Sequence, residues 1–227
     1  MTAVDPRRYA AWRASELGRA TDALEYTLMV DLAGPLVGRR VLDVGCGDGA
    51  FADHLAARGA MVTAVDADPA AVAAARARQA PVTLMVGDAC RLPFADDRFD
   101  VVVAMTLLCL VSDPVRAVSE MARVTRPGGR VVLGELGRWS LWALWRRLRG
   151  LSGGSPWRAA TFWGPGALRG LLTSVGLRAG PVRGAVYYPP VGRVARMAAP
   201  LDPAMGRVTA FGAAFLAVAG DKPGSVG

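Results

Sequence analysis

Short apolar runs alternate with alanine-rich segments between about residues 40 and 136. Runs rich in valine predict buried strands, whereas the alanine-rich segments between them favour helices. The predicted strands are Arg40–Val44, Met61–Val65, Val82–Val86, Asp100–Met105 and Arg130–Gly134. Such alternation is typical of βαβ units around a parallel sheet. We therefore expect an α/β fold with a doubly wound, mostly parallel sheet of about seven strands.

Start and stop signals delimit the helices between these strands. The predicted helices are Gly49–Arg58, Pro69–Gln79 and Pro114–Thr125. Pro69 and Pro114 each follow an aspartate, so each helix has a capping carboxylate and a proline in its first turn. The run Pro127-Gly128-Gly129 is expected to end the third helix and to turn the chain into the next strand.

Further elements flank this core on both sides. Apolar residues recur on one helical face of Asp5–Leu36, which ends at Gly34-Pro35, and Arg138–Arg149 has the pattern of an amphipathic helix rich in tryptophan and arginine. One more helix is predicted over Gly166–Val175. The late apolar runs Val182–Tyr188 and Phe211–Ala219 are expected to form an antiparallel pair at the sheet edge.

Length and charge narrow the class of protein. A chain of 227 residues is compatible with one domain. The net charge is +8, but the basic residues are scattered apart from the cluster at residues 138–149, so we expect no nucleic-acid partner. The longest apolar stretch, Val101–Val111, is too short to span a membrane, and charges near the N-terminus argue against a secretory signal. A cytoplasmic protein is expected.

The three cysteines give no sign of a metal site. Cys46, Cys90 and Cys109 lack the spacing of metal ligands and form no even-numbered disulfide framework. Free thiols of this kind agree with a reducing compartment. We expect no metal.

The strongest motif is a strand that breaks into a glycine-rich turn before a helix, at residues 41–51. Glycines let the backbone approach a ligand closely, and the helix start offers unpaired N–H groups. The spacing of Gly45, Gly47 and Ala50 also satisfies the dinucleotide-binding pattern, which by itself is weak evidence. Two cofactor classes therefore have to be distinguished.

The charge of the turn favours a cationic cofactor. Asp43 and Asp48 lie in it, and no basic residue occurs between positions 40 and 58. Acidic groups disfavour the pyrophosphate of a dinucleotide and attract the sulfonium and ammonium groups of S-adenosylmethionine. Asp66, after the second strand, is placed to bind ribose hydroxyls, and Asp88, after the third, to bind the adenine amino group.

As an ordered set, these motifs resemble the class I S-adenosylmethionine-dependent methyltransferases, especially those of ubiquinone and menaquinone biosynthesis, which have a Rossmann-like fold. The resemblance rests on residues 41–49, 65–66, 87–94, 99–102 and 123–130. It implies that Gly45 and Gly47 contact the methionine moiety, Asp66 the ribose, and Asp88 with Ala89 the adenine. Asp43 would orient the turn and the amino group. The predicted cofactor-binding set also includes Cys46, Ala67 and Met105.

The resemblance also suggests a division of the single domain. A helical lid is expected over residues 1–36, a cofactor-binding core over 37–136, an acceptor cap over 137–176 and sheet-edge strands over 177–220. Lid helices that close over the cofactor would bring Tyr9 and Trp12 near the transferred methyl group. Their aromatic faces would stabilise a sulfonium by about 1 kcal/mol. Ordinary packing of an amphipathic helix is the alternative for both.

No catalytic base stands out. The single histidine, His54, lies in the helix after the glycine-rich turn, and many relatives have a histidine after the fourth strand where this chain has Cys109. Methyl transfer is an in-line displacement, so positioning alone supplies much of the acceleration and a base is optional. Tyr9, Trp12, Cys109 and Tyr187 are the weak catalytic candidates, each with a structural role as the alternative.

The tryptophan–arginine segment at residues 138–149 has three interpretations: a cap over an apolar acceptor, an interfacial contact with anionic lipid, and core packing. We expect methyl transfer to a small, apolar or amphipathic acceptor. A thiol or metalloid S-methyltransferase, which would need no base, and a non-catalytic S-adenosylmethionine-binding module are the alternatives. The oligomeric state is not predicted.

Overall fold

An eight-stranded sheet forms the centre of the protein in the computed structural model, which describes residues 11–150 and 160–224. The strand order is β3-β2-β1-β4-β5-β8-β6, and β7 also pairs with β8. The strands are β1 (Arg40–Val44), β2 (Met61–Asp66), β3 (Val82–Val86), β4 (Phe99–Met105), β5 (Thr125–Leu136), β6 (Arg178–Ala179), β7 (Arg183–Ala185) and β8 (Phe215–Asp221).

The first five strands run parallel, and β8 is antiparallel to β5, β6 and β7. Strand β1 lies between β2 and β4, so the chain winds outward from β1 in one direction and from β4 in the other. In such sheets the connections at the carboxyl ends of the two central strands diverge and leave a crevice that binds ligands. The crevice of this protein therefore lies where β1 and β4 end.

Helices cover both faces of the sheet. They are α1 (Glu16–Ala33), α2 (Ala50–Ala56), α3 (Pro69–Arg76), α4 (Pro114–Val124), α5 (Leu141–Gly150), α6 (Pro165–Ser174), α7 (Gly192–Ala198) and α8 (Asp202–Val208). One hydrophobic cluster packs α1 and α2 on the sheet, with Met29 and Phe51 at its centre, and a second packs α4 and α6 on the opposite face. None of the described helices is long and apolar enough to cross a membrane.

The predicted fold class is confirmed, and so are the capping signals of two helices. The Asp68 side chain accepts a hydrogen bond from the Ala70 N–H at 2.9 Å, and Asp113 accepts one from the Arg116 N–H at 2.9 Å. The late antiparallel pair is also present as β7 and β8. The Asp5–Leu36 prediction corresponds to α1, which ends at Ala33 and is capped by Gly34; residues 1–10 lie outside the described part.

The structure differs from the prediction in three details. Within the described residues the sheet has eight strands where about seven were expected, because the two-residue β6 adds to its edge. Strand β5 begins before the Pro-Gly-Gly run, since Thr125 already pairs with Phe99 across an irregularity in the register. Helices α7 and α8 were missed because glycine and proline interrupt their short apolar pattern and tertiary packing forms them regardless.

Candidate active site

The turn after β1 exposes its backbone to open space at the carboxyl edge of the sheet. Gly45 and Gly47 have positive φ angles of 75° and 54°, which glycine adopts without strain. A Cβ added to Gly45 would lie 2.6 Å from Cδ1 of Leu107, so only glycine fits there. A Cβ on Gly47 would meet no described atom within 4 Å. The turn therefore leaves room for a ligand directly above Gly47.

A buried carboxylate lies beside this turn. Asp43 is 2% exposed, and its Oδ2 has no hydrogen-bond partner among the described residues. Burial, together with the nearby negative charge of Asp66, raises the pKa of Asp43 to about 7. A buried acceptor without a donor is costly unless a ligand supplies one. This arrangement suits the amino group of S-adenosylmethionine and disfavours a pyrophosphate.

Asp66 joins the end of β2 to the glycine-rich turn. Its Oδ2 accepts the Gly47 N–H at 2.8 Å, and its Oδ1 accepts the Asp68 N–H at 2.9 Å. A carboxylate has about four acceptor positions, so two remain for ligand hydroxyls. The side chain thus fits the predicted contact with a ribose while it holds the turn in place.

The other predicted cofactor residues lie at the ends of adjacent strands. Asp88 is exposed after β3, where its Oδ1 accepts the Cys90 N–H at 2.9 Å, and Ala89 beside it is buried. Met105 is half-buried at the end of β4. Ala67 is exposed next to Asp66, and burial raises the pKa of the Cys46 thiol above its usual range. The sheet thereby brings the whole predicted set to one edge.

The charge of the turn differs from the sequence-based prediction at Asp48. Its Oδ1 lies 2.6 Å from Nη1 of Arg13, and its Oδ2 lies 3.6 Å from Nη1 of Arg78. Asp48 is therefore neutralised by residues far away in the sequence and presents no free charge to a ligand. The preference for a cationic cofactor depends on Asp43 and Asp66 instead.

Comparison with known proteins agrees with this geometry. Residues 42–133 match the family model described as a methyltransferase domain. Residues 42–133 form a methyltransferase domain. The predicted class, with S-adenosylmethionine as its cofactor, is thereby confirmed for this domain. Within the described residues, no cluster of three or more histidine, cysteine or acidic side chains is placed to hold a metal ion.

Individual curated relatives are matched over only part of their length. A demethylmenaquinone methyltransferase of Renibacterium salmoninarum is 40% identical over 109 residues, 48% of this chain and 46% of that protein. A ubiquinone biosynthesis O-methyltransferase of Alkalilimnicola ehrlichii is 41% identical over 110 residues, 46% of this chain and 44% of that protein. The chain thus matches less than half the length of these curated relatives.

The fold itself extends beyond the methyltransferase domain. The crystal structure of an S-adenosylmethionine-dependent methyltransferase from Thermotoga maritima, titled a possible histamine N-methyltransferase, superposes with a TM-score of 0.73. The superposition covers 95% of both chains at 23% sequence identity. The flanking elements therefore belong to the same fold as the domain.

Aromatic side chains cluster where α5 packs against the N-terminal segment. Trp12 and Trp142 pack edge to face with ring centroids 6.4 Å apart. Nε1 of Trp142, which is buried, donates to the Tyr188 carbonyl at 2.8 Å. Tyr9, the other lid residue in the predicted set, lies outside the described residues. Trp12 thus joins the N-terminal segment to α5.

The turn after β4 contains Cys109 and is held by Glu135. The Cys109 thiol is buried and donates to the Thr106 carbonyl at 3.3 Å, and burial raises its pKa above the usual range. Oε1 of Glu135 accepts the Leu108 N–H, while its Oε2 has no partner among the described residues. Burial raises the pKa of Glu135 to about 8. This environment favours a packing role for Cys109.

Of the two adjacent tyrosines, Tyr188 faces the interior. The Tyr187 hydroxyl donates to the Thr209 carbonyl, whereas the buried Tyr188 hydroxyl lies 3.2 Å from Oγ1 of Thr21 on α1. No local pattern in the sequence shows which of two neighbouring tyrosines turns inward. Burial raises the pKa of both phenols to about 12.

A buried carboxylate fixes this tyrosine turn. The two side-chain oxygens of Asp202 accept the N–H groups of Val186 and Tyr187, each at 2.8 Å. Val186 has a φ of 64°, which is rare and strained for a β-branched residue. Sequence analysis missed Asp202, although it is the only acidic residue between positions 136 and 220.

Glu25 is a second acidic group that sequence analysis missed as a site residue. Burial and the nearby charge of Asp22 raise its pKa to about 8, while the positive charges of Arg146 and Arg13 oppose the rise. Glu25 lies four residues after Thr21, so both side chains share one face of α1. The single histidine, His54, packs against Tyr26, with ring centroids 4.9 Å apart.

Proposed function

We propose that this protein is an enzyme that transfers a methyl group from S-adenosylmethionine to a small lipophilic acceptor of the quinone class, in its reduced, hydroxyl-bearing form. The methyltransferase domain supports the donor half of this reaction. The names of the matched relatives, which act in menaquinone and ubiquinone formation, support the acceptor half. Those relatives are matched over less than half their length, so we propose the chemical class of the acceptor and not a particular quinone.

The observation that carries the donor half is Oδ2 of Asp43, which has no partner in the described part of the chain, beside the open space over Gly47. Bound S-adenosylmethionine would supply an activated methyl group on a sulfonium. Asp43 would receive the amino group, Asp66 the ribose hydroxyls, and the region after β3 the adenine. Asp43 offers an acceptor atom, and Asp66 the remaining acceptor positions of its two oxygens, without a change of conformation.

The acceptor half depends on the aromatic and polar groups between α1 and α5. Trp12 is half-buried and packs against the buried Trp142, so the Trp12 ring would supply apolar surface for a flat acceptor. Glu25 shares the face of α1 from which Thr21 reaches Tyr188. A carboxyl group whose pKa is about 8 is partly ionised near neutral pH, and its ionised form is a stronger base than an ordinary carboxylate, so Glu25 is our candidate for the group that deprotonates an acceptor hydroxyl.

Two measurements test the proposal in order. Isothermal titration with S-adenosylmethionine and with NADH tests the cofactor, and tighter binding of NADH would refute it. Labelled methyl donor is then supplied with a reduced prenylated naphthoquinone, a catechol, an amine, sulfide and a small thiol. Methylation of the quinol is the expected result. Methylation of sulfide or the thiol alone would establish the S-methyltransferase alternative, and donor binding without turnover of any acceptor would favour a non-catalytic module.

A variant separates the proposed base from cofactor binding. Glu25→Gln is expected to lower kcat on the quinol at least about tenfold and to leave the Kd for S-adenosylmethionine unchanged. Glu16→Gln, on the exposed first turn of the same helix, is the matched control and should retain wild-type kcat. Equal kcat values for the two variants would remove Glu25 from the reaction.

A further inference from the structure

Charge is strongly segregated along the chain. Residues 137–220 contain eleven arginines and one acidic residue, Asp202, which is buried under the tyrosine turn. The rest of the chain carries slightly more acidic than basic residues. The positive net charge of the protein therefore comes entirely from the part of the chain that follows β5.

The same part of the chain exposes large apolar side chains on α5. Trp142 and Ala143 face inward and are buried. On the outer side, Leu144 and Leu148 are each more than half exposed, as are Trp139 and Leu141 just before and at the start of the helix. A helix that packs one apolar stripe and exposes another has a second surface to cover.

The segment that contains α7 and α8 continues this pattern. Met197, Leu201, Val208 and Phe211 of this segment are between 67% and 86% exposed. A short bridge between Ser140 and Gly212 places the end of this segment beside the start of α5. The hydrogen bond from Trp142 to the Tyr188 carbonyl joins α5 to the turn that leads into α7. Residues 139–148 and 191–211 thus border one surface, the arginine–apolar face.

Exposed arginines lie within this face. Arg193 and Arg207 are exposed on α7 and α8 and take part in no ion pair among residues 11–150 and 160–224. Arg147 is exposed on α5, and its guanidinium lies over the ring of Phe162 at 5.6 Å. Exposed leucine, tryptophan and phenylalanine interspersed with arginine are typical of segments that lie in the interface of a bilayer.

We propose that the arginine–apolar face docks the protein on the surface of a bilayer that contains anionic phospholipid. Arginines without acidic neighbours are attracted to lipid phosphate, and the exposed apolar side chains insert between the headgroups. A second copy of the chain would oppose one arginine-rich surface to another, which like-charge repulsion disfavours. A nucleic acid would leave the apolar side chains without a partner. The proposal holds whether or not the acceptor is a quinol.

Binding of the full-length protein to sedimented vesicles tests this proposal, without donor or acceptor. Vesicles of equal parts phosphatidylcholine and phosphatidylglycerol should bind it at least about tenfold more tightly than phosphatidylcholine alone. Raising the salt concentration should weaken the binding, because the attraction between exposed charges is screened. Failure to bind the anionic vesicles overturns the proposal, and it leaves the methyltransferase assay unaffected.

Two similarly exposed valines, one inside the arginine–apolar face and one outside it, test whether this face is the part of the protein that contacts the vesicle. Val208 is 86% exposed within the face, and Val37 is 83% exposed in the link before β1, outside it. Val208→Asp and Leu148→Asp should each weaken vesicle binding at least about fivefold, whereas Val37→Asp should bind as the wild type does. Equal binding by Val208→Asp and Val37→Asp would overturn the proposal. So would dimerisation that Val208→Asp abolishes, or tighter binding to duplex DNA than to anionic vesicles.

Discussion

The Oδ2 atom of Asp66 accepts the backbone N–H of Gly47 at 2.8 Å, which ties the end of β2 to the glycine-rich turn after β1. One side chain thereby shapes the ligand-facing backbone and retains acceptor positions of its own. Residues that both position a turn and contact a ligand are expected to affect binding more than either contact alone would.

Asp66→Ala should weaken S-adenosylmethionine binding more than about tenfold, a loss of more than about 1.4 kcal/mol, because the support of the turn and the predicted ribose contact are lost together. Isothermal titration measures the change. Asp68→Ala, which removes the neighbouring helix-capping carboxylate, is the control. It should cost about 1 kcal/mol of stability and leave the Kd unchanged. Similar Kd values for the two variants would show that the ribose contact is misassigned.

Cofactor affinity should depend on the ionisation of Asp43. Its pKa in the ligand-free protein is about 7, and a cationic ligand binds the ionised form. Affinity should therefore fall up to about tenfold as the pH decreases from about 7.5 to about 6, a window in which the ligand amino group stays charged. Asp43→Asn should bind weakly with no such slope. A flat wild-type profile would contradict the predicted contact.

Glu135 should make the protein less stable as the pH rises. A carboxylate in an ion pair has the opposite effect, since its stabilisation is lost as the pH falls. Its pKa rises from 4.5 to about 8 in the fold, so its stabilising protonated form is lost as the pH increases through 8. Glu135→Gln, which mimics that form, should gain about 2 to 4 kcal/mol relative to wild type between about pH 5 and pH 9. Thermal unfolding at several pH values measures this gain.

Glu120 provides the control for this experiment, because its pKa is shifted in the opposite direction. Its hydrogen bonds to Arg123 lower its pKa, so its stabilisation is present at neutral pH and is lost as the pH falls through its pKa in the fold. Glu120→Gln should be destabilised at pH 7 and should approach the wild type in acid. The same pH trend in both variants would show that burial does not govern Glu135.

Asp202→Ala should destabilise the protein by about 3 kcal/mol, because two buried backbone N–H groups lose a charged acceptor. Asp202→Asn retains one acceptor oxygen and should lose about half as much. Urea unfolding monitored by tryptophan fluorescence distinguishes the two. An unchanged midpoint for Asp202→Ala would mean that the strained turn at Val186 holds without this side chain.

Local signals in the sequence were sufficient for the core of the domain. The valine-rich runs predicted β1 to β5, and aspartate followed by proline located the starts of α3 and α4. The glycine-rich turn with Asp66 after the next strand indicated the cofactor. These features are readable because parallel strands bring residues at their carboxyl ends to one edge whatever the rest of the chain does.

Only the tertiary structure decided the features that join distant parts of the chain. It neutralised Asp48 through Arg13 and Arg78, turned Tyr188 inward instead of Tyr187, and buried Asp202 against the tyrosine turn. It also joined the start of α5 to Gly212 and bonded Trp142 to the Tyr188 carbonyl in the turn before α7. Ion pairs and inward rotations of this kind depend on which elements pack together, and the period of a local hydrophobic pattern carries no information about that choice.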